Sequence, residues 1–496
     1  MNIQKVQLPL QTLSLVAGFM VWVILSSLMP FIKEDIPLTP NQLTWVTAVP
    51  VILGSLLRVP LGYWANRFGA RRLFSISFLV LILPVYYVSI ARSFVDLIIG
   101  GLFIGIGGAV FSVGVTSLPK YYPRERHGFV NGIYGAGNIG TAVTTFSAPI
   151  LANRFGWQVT VKFYIVLLAC FALLNLLLGD RKEPRVHVSL VEQFKSVYRN
   201  DRLWFLCLFY FITFGSFVAF TVYLPNFLVA HFHLSKVDAG MRTAGFIVLS
   251  TLFRPAGGWM GDRFNPLKVL MFVFAGLTIA AILLSFMPSI RLYTLGCLTI
   301  SICGGIGNGA IFKLVPSYFA KQIGIVNGIV AAMGGLGGFF PPLILTALFT
   351  LTGHYSIGFM ALSEVALASL ILVVWMFQQD KLRLADAIIK HTVEGIMVTD
   401  TKGVIRSVNR SFTEVTGYTA DEVVGKTPSI LKSGCQDADF YKNMWLSINE
   451  SGHWQGEILN RKKNGQIYPE WLTISAIKDE GEEVAFYVGM FSDISK

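Results

Sequence analysis

From the N-terminus to about Phe377 the chain is a succession of apolar runs separated by short polar stretches. Each run is roughly 20 residues long, the length a helix needs to cross a hydrocarbon core. The pattern predicts twelve spans, at about 9–31, 43–63, 72–91, 95–118, 128–152, 157–179, 203–229, 241–261, 267–287, 292–315, 324–350 and 355–377. The longest internal polar stretch, GDRKEPRVHVSLVEQFKSVYRNDR (Gly179 to Arg202), divides them six and six. After Gln378 the pattern changes. QQDKLRLADAIIKHTVEGI (Gln378 to Ile396) keeps helical spacing and predicts a connector continuing the last span. Beyond it, short alternating strands and turns follow, among them GIMVTD and GVIRSVN, with a hairpin expected at Asn464-Gly465.

The two sixes repeat each other. LLRVPLGYWANRFG (Leu56 to Gly69) returns as LFRPAGGWMGDRFN (Leu252 to Asn265), and GFVNGI (Gly128 to Ile133) returns as GIVNGI (Gly324 to Ile329). Each of the second pair leads into a glycine-rich run, YGAGNIGTAV and AAMGGLGGFFPP. Parallel repeats of this kind describe a transporter whose halves rock about a site near the bilayer midplane. The expected organisation is a six-helix half at 1–180, an interdomain loop at 181–202, a second half at 203–379, a linker helix at 380–392 and a small α+β domain at 387–496.

Composition agrees. Of 496 residues 54% are hydrophobic and 14% charged, against about a quarter charged in soluble domains. The net charge of +12 does not point to nucleic acid, because Lys and Arg gather in alternate loops: Arg67, Arg71 and Arg72; Lys120, Arg124 and Arg126; Arg181 through Arg202; Arg263 and Lys268. That is the positive-inside pattern, and it places those loops, both termini and the tail in the cytoplasm. The five cysteines form no CxxC pair and no metal-ligand spacing.

Arg58 and Arg254 interrupt apolar spans at matching positions of the repeat. A guanidinium at bilayer depth costs at least ~2.5–3.5 kcal/mol on insertion scales. The pore-lining spans expected for this architecture (1, 2, 4, 5, 7, 8, 10 and 11) offer no acidic partner, so a small anion is the counterion that remains. Planar guanidinium groups match planar oxyanions in shape and donor geometry, which Lys does not reproduce. The bland reading is that each arginine snorkels to the cytoplasmic face. Lys313, near the inner end of span 10, reads either as a snorkelling cation or as an attractor of anions. Glu364 falls in span 12, which lies outside the pore in the fold that the resemblance given next implies, and His231 and His233 sit at an outer loop without making a metal site.

GYWANRFGARR resembles the loop signature of the major facilitator superfamily, with Asn66 where an Asp is usual and Asp262 kept in the second copy. The resemblance covers about residues 1–380 and implies the twelve-helix major facilitator fold. Within the superfamily, the arginine pair and the Gly-Asn-rich spans 5 and 11 resemble the nitrate/nitrite porters. That resemblance implies that Arg58 and Arg254 hold the anion, that Asn138 (in GAGNIG) and Tyr210 (in FYFITFGSF) hydrogen-bond it, and that Phe111 and Phe214 close over it. It implies a transporter rather than an enzyme, needing no cofactor for transport.

VNRSFTEVTGYTADEVVGK and NRKKNGQIY resemble a PAS sensor domain over about 387–496. The tail is similar to the flavin-binding PAS of redox regulators of nitrogen metabolism, which implies FAD contacts at Trp445 and Asn460, whereas Met397 and Pro428 stand where polar residues occur. An empty or metabolite-binding PAS and a haem PAS are the alternatives. The expected function is nitrate and/or nitrite transport adjusted by the PAS domain. The alternatives are a nitrate-sensing receptor acting through a cytoplasmic signalling partner, and a porter for another small anion.

Overall fold

The computed structural model describes residues 3–185, 189–354, 356–479 and 482–495; residues 186–188 of the expected interdomain loop lie outside them. Contacts divide the chain into two compact units, 1–376 and 377–496. The linker helix therefore groups with the tail.

The first unit is helical throughout. Span 1 is Ile3–Trp22 and Ile24–Asp35, span 2 is Pro40–Leu56 and Arg58–Phe68, and span 3 is Ala70–Ser89. Span 4 comes in three pieces, Phe94–Ile104, Ile106–Ala109 and Phe111–Ser117. Span 5 is His127–Gly135 and Ile139–Phe155 about a 3-10 turn at Ala136–Asn138, and span 6 is Trp157–Leu178. A short helix, Leu190–Val197, precedes spans 7 to 12: Asp201–Phe232, Lys236–Arg263, Pro266–Ser285, Ile290–Tyr318, Ile323–Thr352 and Ser356–His391. Among the described residues, ten helices are long and apolar enough to cross a membrane. Spans 5 and 8 are not among them: one is rich in glycine and polar residues, the other carries Lys236, Asp238, Arg242, Arg254, Asp262 and Arg263.

The halves meet where span 2 packs on span 11 and span 5 on span 8. Glycine makes this possible. A Cβ at Gly62 would lie 2.4 Å from the Gly324 carbonyl oxygen, and one at Gly258 would lie 2.0 Å from that of Gly128. Backbones in such contact need residues without side chains. At this same end Asp262 accepts hydrogen bonds from the Gly128 and Phe129 amides (2.9 and 2.6 Å), two orphan donors at the start of span 5. Lys313 pairs with Asp262 at 2.7 Å, so it is tied to the inter-half junction rather than stretched free to the surface. The repeat-related Asn66 is buried against Gly324 and brings no charge. Glu183 of the interdomain stretch instead caps span 3, accepting from the Ala70 amide at 2.7 Å and pairing with Lys120 at 2.9 Å.

One sequence expectation needs correction. Asp96 falls inside the expected span 95–118, so that pore-lining span does contain an acid. It lies in the first turn of span 4, where it closes a capping box with Ser93 and accepts from the Tyr87 hydroxyl at 2.8 Å.

The second unit holds a five-stranded antiparallel sheet, with β1 Gly395–Asp400, β2 Ile405–Val408, β3 His453–Arg461, β4 Ile467–Lys478 and β5 Val484–Asp493 in the order β2-β1-β5-β4-β3. Helices Arg410–Thr416, Ala420–Val423 and Ala438–Ser451 connect β2 to β3. Asn409 caps the first of these and Asp437 the last. Met397, Ile405, Phe412, Val423, Leu431, Ile458, Leu472 and Phe491 form the core. The expected β3–β4 hairpin turns at Gly465, whose φ of 88° suits glycine.

Candidate functional site

Arg58 starts the second piece of span 2, and Arg254 sits in the middle of span 8. Both guanidiniums are buried, 0% and 2% exposed, so neither reaches out to solvent. Arg58 donates from Nε to the Gly108 carbonyl (3.2 Å) and from Nη1 to the Ala331 carbonyl (2.7 Å), the latter on span 11 of the other half. Arg254 donates from Nη2 to the Tyr210 hydroxyl at 2.9 Å. Arg58 Nη2, Arg254 Nε and Arg254 Nη1 have no hydrogen-bond partner, and no carboxylate meets either head group among the described residues. Buried N–H groups left unpaired are expensive, more so on a cation. Three donor nitrogens of one site are thus left without an acceptor.

Aromatic rings join the two cations. The Phe111 ring centroid lies 5.5 Å from the Arg58 Cζ and 5.1 Å from that of Arg254; for Phe214 the distances are 5.5 and 5.8 Å. Cation–π attraction partly compensates desolvated guanidinium without filling its donors. Phe214 stacks on Tyr210 at 5.1 Å. Asn138 ends the 3-10 turn that interrupts span 5; it is buried, and its Oδ1 lacks a partner. All six residues named from the sequence are thus buried, and five of them touch one another directly.

Sequence reasoning missed several neighbours. Phe312 meets both Phe111 (5.4 Å) and Tyr210 (4.9 Å) edge-on, Tyr134 stacks on Phe111 at 5.7 Å, and the Trp22 ring lies 5.8 Å from the Arg58 Cζ. Nothing in their spacing separates them from ordinary packing aromatics. Gly135 was legible only as part of a glycine run. A Cβ there would sit 2.0 Å from Arg254 Nε, so this glycine admits the guanidinium of one half against a helix of the other.

In the tail, Trp445 and Asn460 line one cavity of about 390 Å³, together with Met397, Ile458, Leu472 and Phe491. Glu470 also lines it and is buried; its carboxylate accepts from Asn460 Nδ2 at 2.7 Å and from the Tyr468 hydroxyl at 2.5 Å. Burial pushes its carboxyl up to about 7.

Two repeated helical halves around a shared, buried cationic centre define a membrane carrier of the rocking type. The sequence model of the Major Facilitator Superfamily matches residues 12–342 and 206–391, and that of the PAS domain matches 393–496. The chain is 66% identical over 382 residues to the nitrite extrusion protein of Bacillus subtilis (strain 168), covering 77% of this chain and 97% of that one. It is 52% identical over 383 residues to the probable nitrate transporter NarT of Staphylococcus epidermidis, covering 77% and 99%. The crystal structure of the human organic anion transporter MFSD10 superposes with a TM-score of 0.64 at 16% identity, over 75% of this chain and 99% of that one, a likeness of fold. The chain belongs to the Major Facilitator Superfamily, and it carries a C-terminal PAS domain.

Proposed function

We propose that the protein carries nitrate and nitrite across the cytoplasmic membrane by alternating access, with the anion held between Arg58 and Arg254. The observation that carries this reading is the set of three unpartnered guanidinium nitrogens in a buried, carboxylate-free centre. A planar oxyanion accepts from several of them at once in a site where low dielectric strengthens each contact. The empty centre holds two like charges. A bound anion offsets their repulsion, and its stronger interaction with the closed state than with the open ones is what drives the halves together. Asn138 and Tyr210 orient the anion, and Phe111 and Phe214 exclude water from it. The names of the two bacterial relatives support nitrate and nitrite as the substrates.

The basic loops support a cytoplasmic location for the tail and both termini. The tail adjusts transport according to a ligand in its cavity, directly or through a cytoplasmic partner. The lining joins apolar Met397, Ile458, Leu472 and Phe491 to Trp445, Asn460 and Glu470, in a volume within the usual range of about 300–1,000 Å³ for ligand sites; Trp445 and Asn460 suit a flavin, whereas Met397 and Pro428 in the same lining stand where flavin-binding PAS domains carry polar residues and favour a small metabolite instead. FAD bound there would supply redox chemistry, and yellow absorbance of the purified full chain tests for it.

The decisive experiment is counterflow of labelled nitrate in proteoliposomes loaded with nitrite, with the pH gradient varied and other anions as competitors. Saturable counterflow is expected. Nitrate binding without any flux would favour a receptor, and competition by formate or oxalate in preference to nitrite would reassign the substrate.

A further inference from the structure

Ser55 stands three residues before Arg58, and Thr251 three residues before Arg254. The two hydroxyls are therefore counterparts in the repeat. Both residues are buried, at 0% and 3% exposure, and Ser55 Oγ and Thr251 Oγ1 have no hydrogen-bond partner among the described residues. A helical hydroxyl has a ready acceptor in the carbonyl four residues earlier. Ser14, Thr213, Thr243 and Thr278, all buried, use it at 2.8 to 3.0 Å. Ser55 and Thr251 do not. A buried hydroxyl left unpaired is costly, and here the cost falls twice, at matching places. The hydroxyls of Thr12 and Ser112 are also unpaired, but neither lies on an arginine-bearing span.

Helix geometry puts these hydroxyls beneath the arginine side chains. Residues three apart share a face, and a long side chain leans back over the turn that precedes it. Span 2 keeps this geometry across the join between its two pieces, because Leu57 has helical dihedrals and its amide donates to the Leu53 carbonyl at 3.0 Å. Gly335 of span 11 shows how near the two groups come at Arg58. A Cβ there would lie 2.2 Å from Ser55 Oγ and 3.3 Å from Arg58 Nη1. Hydroxyl and guanidinium thus border one point at the seam between the halves. Span 8, which carries Thr251 and Arg254, packs against the 3-10 turn that ends at Asn138, the other residue of the centre with an unpaired side-chain atom. An O–H donates to an oxyanion and, unlike a further cation, adds nothing to the repulsion between the two arginines.

We propose that the Ser55 and Thr251 hydroxyls donate to the anion carried between Arg58 and Arg254, as a second pair of ligands with one from each half. The inference rests on the reading of the arginine centre as the anion site. Placed on opposite halves, the two hydroxyls reach one guest together only when the halves are closed around it. They therefore contribute to the difference in interaction between closed and open states that closure requires.

The test is equilibrium nitrate binding to the purified full-length chain, together with its thermal unfolding in the absence of nitrate. Ser55→Ala and Thr251→Val should each weaken nitrate binding about tenfold. Ser55→Thr and Thr251→Ser, which keep the hydroxyl, should bind like the parent. Without nitrate, the unfolding midpoints of Ser55→Ala and Thr251→Val should hold or rise, because the group removed is buried and bonded to nothing in the protein. A purely structural hydroxyl would give the reverse, a lowered midpoint with nitrate affinity intact. That result, or unchanged affinity in either variant while the parent binds nitrate, would overturn the proposal. A parent that binds no nitrate would overturn the reading of the arginine centre and the proposal with it.

Discussion

At Arg58 two guanidinium nitrogens are engaged by backbone carbonyls and one is left open; at Arg254 one is engaged by Tyr210 and two are left open. An ammonium would keep the charge but lose the flat, multiply donating face. Arg58→Lys and Arg254→Lys are therefore each expected to weaken nitrate binding by on the order of 2 kcal/mol, about 30-fold, in equilibrium binding to purified protein. Unchanged affinity would refute planar recognition. The charged pair was readable from the sequence because cations in apolar spans are rare and these recur in the repeat. Its aromatic surroundings were only partly readable: Phe312, Tyr134 and Trp22 look like any core ring until the helices are packed. Glu470 gives a second prediction. Folded, its carboxyl titrates near 7, against an ordinary value of 4.5. The folded domain thus takes up a proton between those values, and its stability falls as pH rises from one to the other and is level above. Glu470→Gln should remove that slope from the PAS unfolding transition of the full chain, read as thermal midpoints between about pH 5 and about pH 8. A slope that survives the substitution would place its cause elsewhere.

Among the elements, the glycine-rich stretches of spans 5 and 11 set how near the halves come. Their composition announced close approach, and the repeat announced where. The pieces into which spans 4 and 5 divide were not announced. The 3-10 turn at Ala136–Asn138 arises where glycines leave the backbone free to follow its neighbours, which no local preference dictates. The low apolarity of spans 5 and 8 is the converse lesson: both bring a polar residue to the site, Asn138 and Arg254, and both fall short of a hydropathy rule that spans 2, 4 and 7 still meet. Gly135→Ala is expected to fold, because the side chain it displaces is the long, movable one of Arg254. It should lower nitrate counterflow at least tenfold, since the guanidinium leaves Tyr210. Gly240→Ala, whose added Cβ meets nothing within 4 Å, is the matched control and should leave counterflow unchanged; an equal loss in both would point to helix stability instead.

For the molecule as a whole, the division at 376/377 separates the carrier from the PAS domain. The Bacillus relative is covered over 97% of its length by 382 residues of this chain, so a protein of that kind exists with little room for a tail. A chain ending at Gln378 is accordingly expected to keep nitrate counterflow within about twofold of the full chain, the tail acting on the machinery and not as part of it. Abolished flux on truncation would contradict that separation. The single charge of the guest held between the buried arginines also fixes how the carrier answers to voltage. With two fixed positive charges and one monovalent guest, the loaded protein bears the same net charge whether the guest is nitrate or nitrite. In one-for-one exchange both journeys then move equal charge in opposite directions, and the membrane potential neither drives nor brakes the cycle. Uptake with an empty return moves one negative charge inward per turn and runs against the resting potential.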